Sequence, residues 1–137
     1  MQNTHSRPVL TYGQFSLITG SFLLALAVIS GAFGAHGLEG KLDARLIETY
    51  QTGVTYHFYH AFGLLFVGVL EHLFQKSFKF TRIFFLLGII LFSGNCYLYA
   101  LSGIRNFALI VPLGGVTYIL GWLSLGFNLL GMRPKSS

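Results

Sequence analysis

Charge is what this sequence lacks most. Of its 137 residues only 9 % are Asp, Glu, Lys or Arg, and just 4 are acidic. A soluble domain carries roughly a quarter charged residues, because its surface must be hydrated. With 53 % hydrophobic residues and a mean hydropathy of +0.65, most of the outer surface must face something other than water. Cysteine is nearly absent too. The single Cys96 excludes an intrachain disulfide and any cysteine cage for a metal; in its apolar run it reads as a small buried hydrophobe. A glycine-rich phosphate loop, a nucleophile elbow and a zinc-protease motif are missing as well, so no catalytic residue, metal or cofactor is assigned. The length suits one domain, residues 1–137, and is too short for two independent cores.

A formal net charge of +5 invites a nucleic-acid reading. The basic residues form no face, however; they sit in short breaks between apolar runs, as membrane topology requires. The expected partner is the lipid bilayer and not nucleic acid, with a homo-oligomer or a membrane-protein partner left open. A bilayer core needs roughly 20 predominantly apolar residues per helix. Four stretches meet that demand: 15–35, 54–74, 83–102 and 107–130. The first is longer than the roughly 7–15 residues of a signal-peptide core, and only Arg7 precedes it, so it is expected to be a span. The expectation is an all-α integral membrane four-helix bundle.

An even number of spans places both termini on one side. That side carries Arg7, Lys76, Lys79, Arg82, Arg133 and Lys135, and the other Lys41, Arg45 and Arg105, offset by Glu39, Asp43 and Glu48. Basic residues in short loops stay cytoplasmic, so both termini are expected there. Residues 36–53 form an outer interfacial segment. In it, Asp43 can cap a helix that continues into span two, with Arg45 and Glu48 paired and a bend at Gly53.

Placing each residue about 100° further round a helix shows that every span has a face. Gly20, Ala27, Ser30, Gly31 and Gly34 share one side of span one; His57, His60, Ala61, Leu64, Gly68, Glu71 and His72 share one of span two. Gly88, Leu91, Asn95, Tyr99 and Ser102 group in span three, with Leu86, Ile89, Ile90, Tyr97 and Ala100 opposite. Gly114, Thr117, Tyr118, Gly121, Leu125 and Asn128 group in span four. Membrane helices associate through close backbone approach at small residues and through interhelical hydrogen bonds. The small and polar faces should therefore meet in a shared interior, with Gly20, Ala27, Gly31, Gly34, Gly68, Gly88, Gly114 and Gly121 as packing residues. Pro112 should loosen the start of span four.

The densest polar cluster is His36, Tyr56, His57, His60, Asn95 and Tyr99. His57 and His60, spaced i, i+3, could present imidazoles to one metal, and His36 could complete the site. Structural hydrogen bonding is the plainer reading, because no carboxylate or further cysteine accompanies them. Metal, haem or quinone contact is the alternative, which would make the protein a redox or ligand-binding one. Asn95, the deepest, is expected to bond between helices. At the other end, Glu71 and His72 are ionisable, and Glu71 can pair with Lys76 or Arg82.

The segments Gly31-Ala32-Phe33-Gly34-Ala35-His36-Gly37-Leu38, Tyr59-His60-Ala61, Phe92-Ser93-Gly94 with Tyr97-Leu98, and Pro112-Leu113-Gly114-Gly115 before Gly121-Trp122 resemble a known family. It is the uncharacterised membrane-protein family called domain of unknown function 423, with its YgdD- and YwdK-like members, similar to eukaryotic transmembrane protein 256. The resemblance runs over about residues 15–130 and implies a multi-pass inner-membrane protein, structural or accessory, with no assigned activity. It points to His36 and His60 more than to His57, and Asn95-Cys96 departs from its pattern.

Overall fold

The computed structural model describes residues 11–132; Arg7, Arg133 and Lys135, which weigh in the charge count, lie outside them. Four helices are long and apolar enough to cross a membrane: α1 (Gln14–Gly37), α2 (Ala44–Phe74), α3 (Lys79–Ser102) and α4 (Arg105–Leu130). The described residues contain no strand. Asp43 caps α2 by accepting the Leu46 N–H at 2.9 Å, which satisfies one of the orphan donors of the first turn. From there α2 runs unbroken to Phe74, so Gly53 is no bend. It is a contact: a Cβ there would come within 2.8 Å of the Cys96 side chain. Arg45 and Glu48 form no pair, and the ion pair found among the described residues is Arg82–Glu71. Arg45 and Glu48 are both exposed, where such a pair gains little over hydration.

The helices do not share one interior equally. Within the apolar stretch of each, the buried share is 44 % for α2 and 39 % for α3, but 17 % for α1 and 22 % for α4. The central pair is α2 and α3, with α1 laid on α2 and α4 laid on α3. The α1 seam is a seven-residue row, in which Gly13, Gly20, Ala27 and Gly34 are all buried. Seven residues come close to two full helical turns, so such a row stays on one side of the helix. Each site needs a minimal side chain. A Cβ at Gly13 would collide with the Gly68 carbonyl, and its φ of 86° is itself left-handed. A Cβ at Gly20 would lie 3.0 Å from the Leu65 backbone nitrogen, and one at Gly34 2.7 Å from the Tyr50 ring.

In α3 the buried row runs Thr81, Phe85, Ile89, Ser93, Cys96 and Ala100. A straight α-helix would carry that row about 100° out of line by its end, the width of one residue. A π-helical turn over Ile89–Gly94 takes up the angle, since each π-turn holds one more residue than an α-turn. Uniform phasing puts Ile89, Tyr97 and Ala100 on the lipid side. The structure instead buries Ile89 and Ala100 and turns Tyr97 onto His57 and Tyr50.

The backbone of α4 rests on this π-turn. A Cβ at Gly114 would collide with the Phe92 amide nitrogen and lie 2.7 Å from the Leu91 carbonyl carbon. The helix continues through Pro112 without a break; proline inside a membrane helix is tolerated where neighbours support the backbone. Two further glycines make room for aromatic rings. Phe85, fully buried, has its ring edge where Cβ atoms of Gly63 and Gly121 would be, at 2.9 and 2.6 Å. Gly126, also on α4, has nothing within 4 Å of its Cβ position. Gly114→Val should therefore lower the stability of the purified protein by about 1–3 kcal/mol or more, read as an earlier unfolding midpoint in a denaturing-detergent titration. Gly126→Val should leave that midpoint nearly unchanged; equal losses would show that helix propensity, and not backbone approach, sets the cost.

Candidate functional site

Glu71 is the hub of the end of the bundle that carries the α2–α3 loop. It lies one turn before the end of α2 and is 1 % exposed. A buried carboxylate is tolerated only when charge and lone pairs are both satisfied. Three elements supply the donors. Ser16 of α1 donates its hydroxyl to Oε2 at 2.7 Å, the Phe78 backbone N–H donates to Oε1 at 2.8 Å, and Arg82 of α3 donates through Nη1 to Oε1 at 3.0 Å. The guanidinium also stands 5.1 Å over the Phe15 ring, a cation–π contact that fixes its plane. Of the two cations within reach in sequence, Arg82 is the partner and Lys76 is exposed. Ser16 is absent from the sequence-based candidates. Its signal was its place between Gly13 and Gly20 on the α1 seam.

The turn above this hub is built around it. Gln75 adopts the left-handed region (φ 50°), its side-chain amide donates to the His72 carbonyl at 2.6 Å, and the Lys76 N–H donates to the Glu71 carbonyl at 3.3 Å. This closes the C-terminus of α2 without a glycine. His72 is exposed and stands apart from Glu71's carboxylate shell.

At mid-depth His60 is enclosed. Its Nδ1 lies 2.7 Å from the Tyr56 carbonyl, which can only accept, so Nδ1 carries the proton. Nε2 is then the acceptor and takes the Trp122 indole N–H at 3.1 Å. The Tyr118 ring stacks on the imidazole at 3.3 Å and 9°, and its hydroxyl pairs with Ser93 at 3.1 Å. His57 faces another way: its Nδ1 meets the Tyr97 hydroxyl at 3.1 Å, and its Nε2 is buried without a partner among the described residues. His36, in the π-helical end of α1, is exposed. The three histidines therefore do not form one site, and no group of three or more His, Cys, Asp or Glu among the described residues is placed to hold a metal. The physical reason is that successive imidazoles were drawn to different neighbours, α4 for His60 and α3 for His57.

Asn95 is buried but bonds within its own helix. Its Nδ2 donates to the Leu91 carbonyl at 2.9 Å and to the Ile90 carbonyl at 3.3 Å. Both belong to the π-turn, whose wider spacing strains the regular ladder, so the amide mends the backbone and does not bridge helices. Tyr99 is half-buried beside it, and Tyr56 is 40 % exposed. A groove of about 550 Å³ opens sideways between α2 and α4, walled by Tyr56, Tyr59, His60, Phe92, Tyr118 and Trp122. Trp122 is the hydrogen-bond donor that completes His60.

Residues 30–115 match the family described as "Protein of unknown function (DUF423)". The chain belongs to this family. Among its relatives, the UPF0382 membrane protein YwdK of Bacillus subtilis is 41 % identical over 111 residues, covering 80 % of this chain and 90 % of that protein. The UPF0382 inner membrane protein YgdD of Escherichia coli K12 is 36 % identical over 126 residues, covering 86 % and 96 %. The UPF0382 membrane protein SSP2132 of Staphylococcus saprophyticus is 40 % identical over 109 residues, covering 80 % and 91 %. No solved structure matches the chain. With four spanning helices, it is a multi-pass inner-membrane protein. The stretch that matches the family contains His57, His60, the π-turn and the Glu71–Arg82 pair; Ser16, Tyr118 and Trp122 lie outside it.

Removing one member of a buried, hydrogen-bonded ion pair costs about 3–5 kcal/mol, because the other charge is stranded. Glu71→Ala and Arg82→Ala should each destabilise by that order, while Ser16→Ala, which removes one neutral donor, should cost about 1–3 kcal/mol. Unfolding midpoints of the three variants in one detergent check the ranking.

Proposed function

We propose that the protein is an accessory membrane protein that acts through its assembled shape and not through bond-making chemistry. The observation that supports this is the engagement of the side chains that chemistry would need. Both nitrogens of His60 and both oxygens of Glu71 are in hydrogen bonds, and Asn95 serves the π-turn. A metal or haem iron at His60 would have to displace the Trp122 indole, and a quinone oxygen would compete for the same atom. The glycine faces are used within the chain, so their role is to pack the bundle. The purified protein should therefore contain no stoichiometric metal by elemental analysis and show no Soret band, and His36→Ala combined with His60→Ala should shift stability only. A stoichiometric metal or haem that this double variant loses would overturn the reading.

Both termini lie on the cytoplasmic side in this proposal. Lys76, Lys79 and Arg82 cluster at one end with Glu71 as the sole acid, whereas Lys41, Arg45 and Arg105 at the other are balanced by Glu39, Asp43 and Glu48. Basic residues resist translocation and acids contribute little to orientation. A C-terminal green fluorescent fusion should glow and a C-terminal alkaline phosphatase fusion should be inactive; the reverse pattern would invert the topology.

A further inference from the structure

The end of the bundle built around Glu71 has a feature that the packing role does not use. A cleft of about 530 Å³ opens between α1 and the α2–α3 loop, lined by Thr11, Phe15, Gln75, Ser77 and Arg82, with Glu71 at its floor. Four observations define what would enter it. The floor is not a repelling anion, because Glu71 already holds three donors, one of them the Arg82 cation. Arg82 engages through Nη1 alone among the described residues, and its side chain is 20 % exposed. A guanidinium carries five N–H donors in a planar fork, so Arg82, which lines the cleft, has donors beyond those engaged by Glu71 among the described residues, while Phe15 beneath holds the plane in place. Lys76 in the loop that walls the cleft and Lys79 at the start of α3 are both exposed, and no acid other than Glu71 falls anywhere from residue 49 to the end of the chain. Finally, the cleft lies where two spans end and begin, at Phe74 and Lys79, which is the depth of lipid headgroups.

We propose that this cleft binds the phosphate of an anionic phospholipid. The free edge of Arg82 is its anchor, the Ser77 hydroxyl a further donor, and Lys76 and Lys79 the rim that selects negative charge. A planar guanidinium matches phosphate oxygens two at a time, and basic pockets at the ends of spans attract anionic headgroups with a contribution from each nearby Lys or Arg. The same chemistry would accept free phosphate, so the source has to be tested.

The test uses the full chain in a neutral detergent. Native mass spectrometry would count retained lipid, and a thermal melt would be run with phosphatidylglycerol, phosphatidylcholine or inorganic phosphate. The expected result is one phosphatidylglycerol held per chain and a raised melting temperature. Phosphatidylcholine should do neither, and inorganic phosphate should protect only at far higher concentration. Lys76→Ala with Lys79→Ala, which remove two exposed side chains and leave the backbone hydrogen bonds in place, should weaken phosphatidylglycerol binding about tenfold or more while leaving the lipid-free melt unchanged. Arg82→Lys keeps a cation beside Glu71 but loses the fork, and should weaken binding further. Equal retention of the two lipids, or binding indifferent to all three substitutions, would overturn the proposal. Protection by inorganic phosphate as strong as that by phosphatidylglycerol would overturn the lipid assignment.

Discussion

Acyl chains are as apolar as leucine, so helices in a bilayer gain little by exchanging lipid for one another's side chains. What draws these four together is the close approach of their backbones. Gly13 against the Gly68 carbonyl and Gly114 against Phe92 are places where even one methyl group would not fit, and at Gly20, against Ala61 and Leu65, a methyl group would fit only if its neighbours shifted. Other features follow from those contacts. Because α4 lies on the backbone of α3 at Phe92, the π-turn there is held in place. Because the π-turn rotates the rest of α3, Tyr97 and Ala100 face inward. Phe85 can be wholly buried because Gly63 and Gly121 leave room for its ring.

Close approach creates an obligation of its own. A polar atom sealed between helices in lipid has no water to turn to, so each must find a partner in the protein. The chain meets this with local repairs and with bonds between helices. Asn95 supplies its amide to the π-turn carbonyls, His60 is held between a backbone carbonyl and an indole, and Tyr118 shares its hydroxyl with Ser93. Glu71 ties α1, α2 and α3 together at one end. The His57 Nε2, left without a partner among the described residues, is the exception.

The two ends of the molecule differ accordingly. One is a neutral mixture of exposed acids and bases around the capped start of α2. The other holds an internal ion pair beneath a basic loop and an open cleft. The family to which the chain belongs has no activity in its name, and at the centre of this bundle the polar side chains are bonded within the protein except at the His57 Nε2, among the described residues.

Hydropathy and the placement of small residues are local properties, written position by position along the chain. They determined the four spans, the helix before the second one, the Asp43 cap and most of the glycines on the packing faces. They also bring Glu71 within reach of Arg82, because the loop between them is short. They could not determine which neighbour each polar side chain meets. Ser16 reaches Glu71 across 55 positions and Trp122 reaches His60 across 62, and such pairings exist only once helices have been set side by side. Nor could they show the π-turn. One additional residue in a single turn of α3 leaves composition untouched, yet rotates everything beyond it by about 100°. That rotation decided which face of α3 is inside and that His57 and His60 serve different partners, and it emerges only from how closely α4 packs.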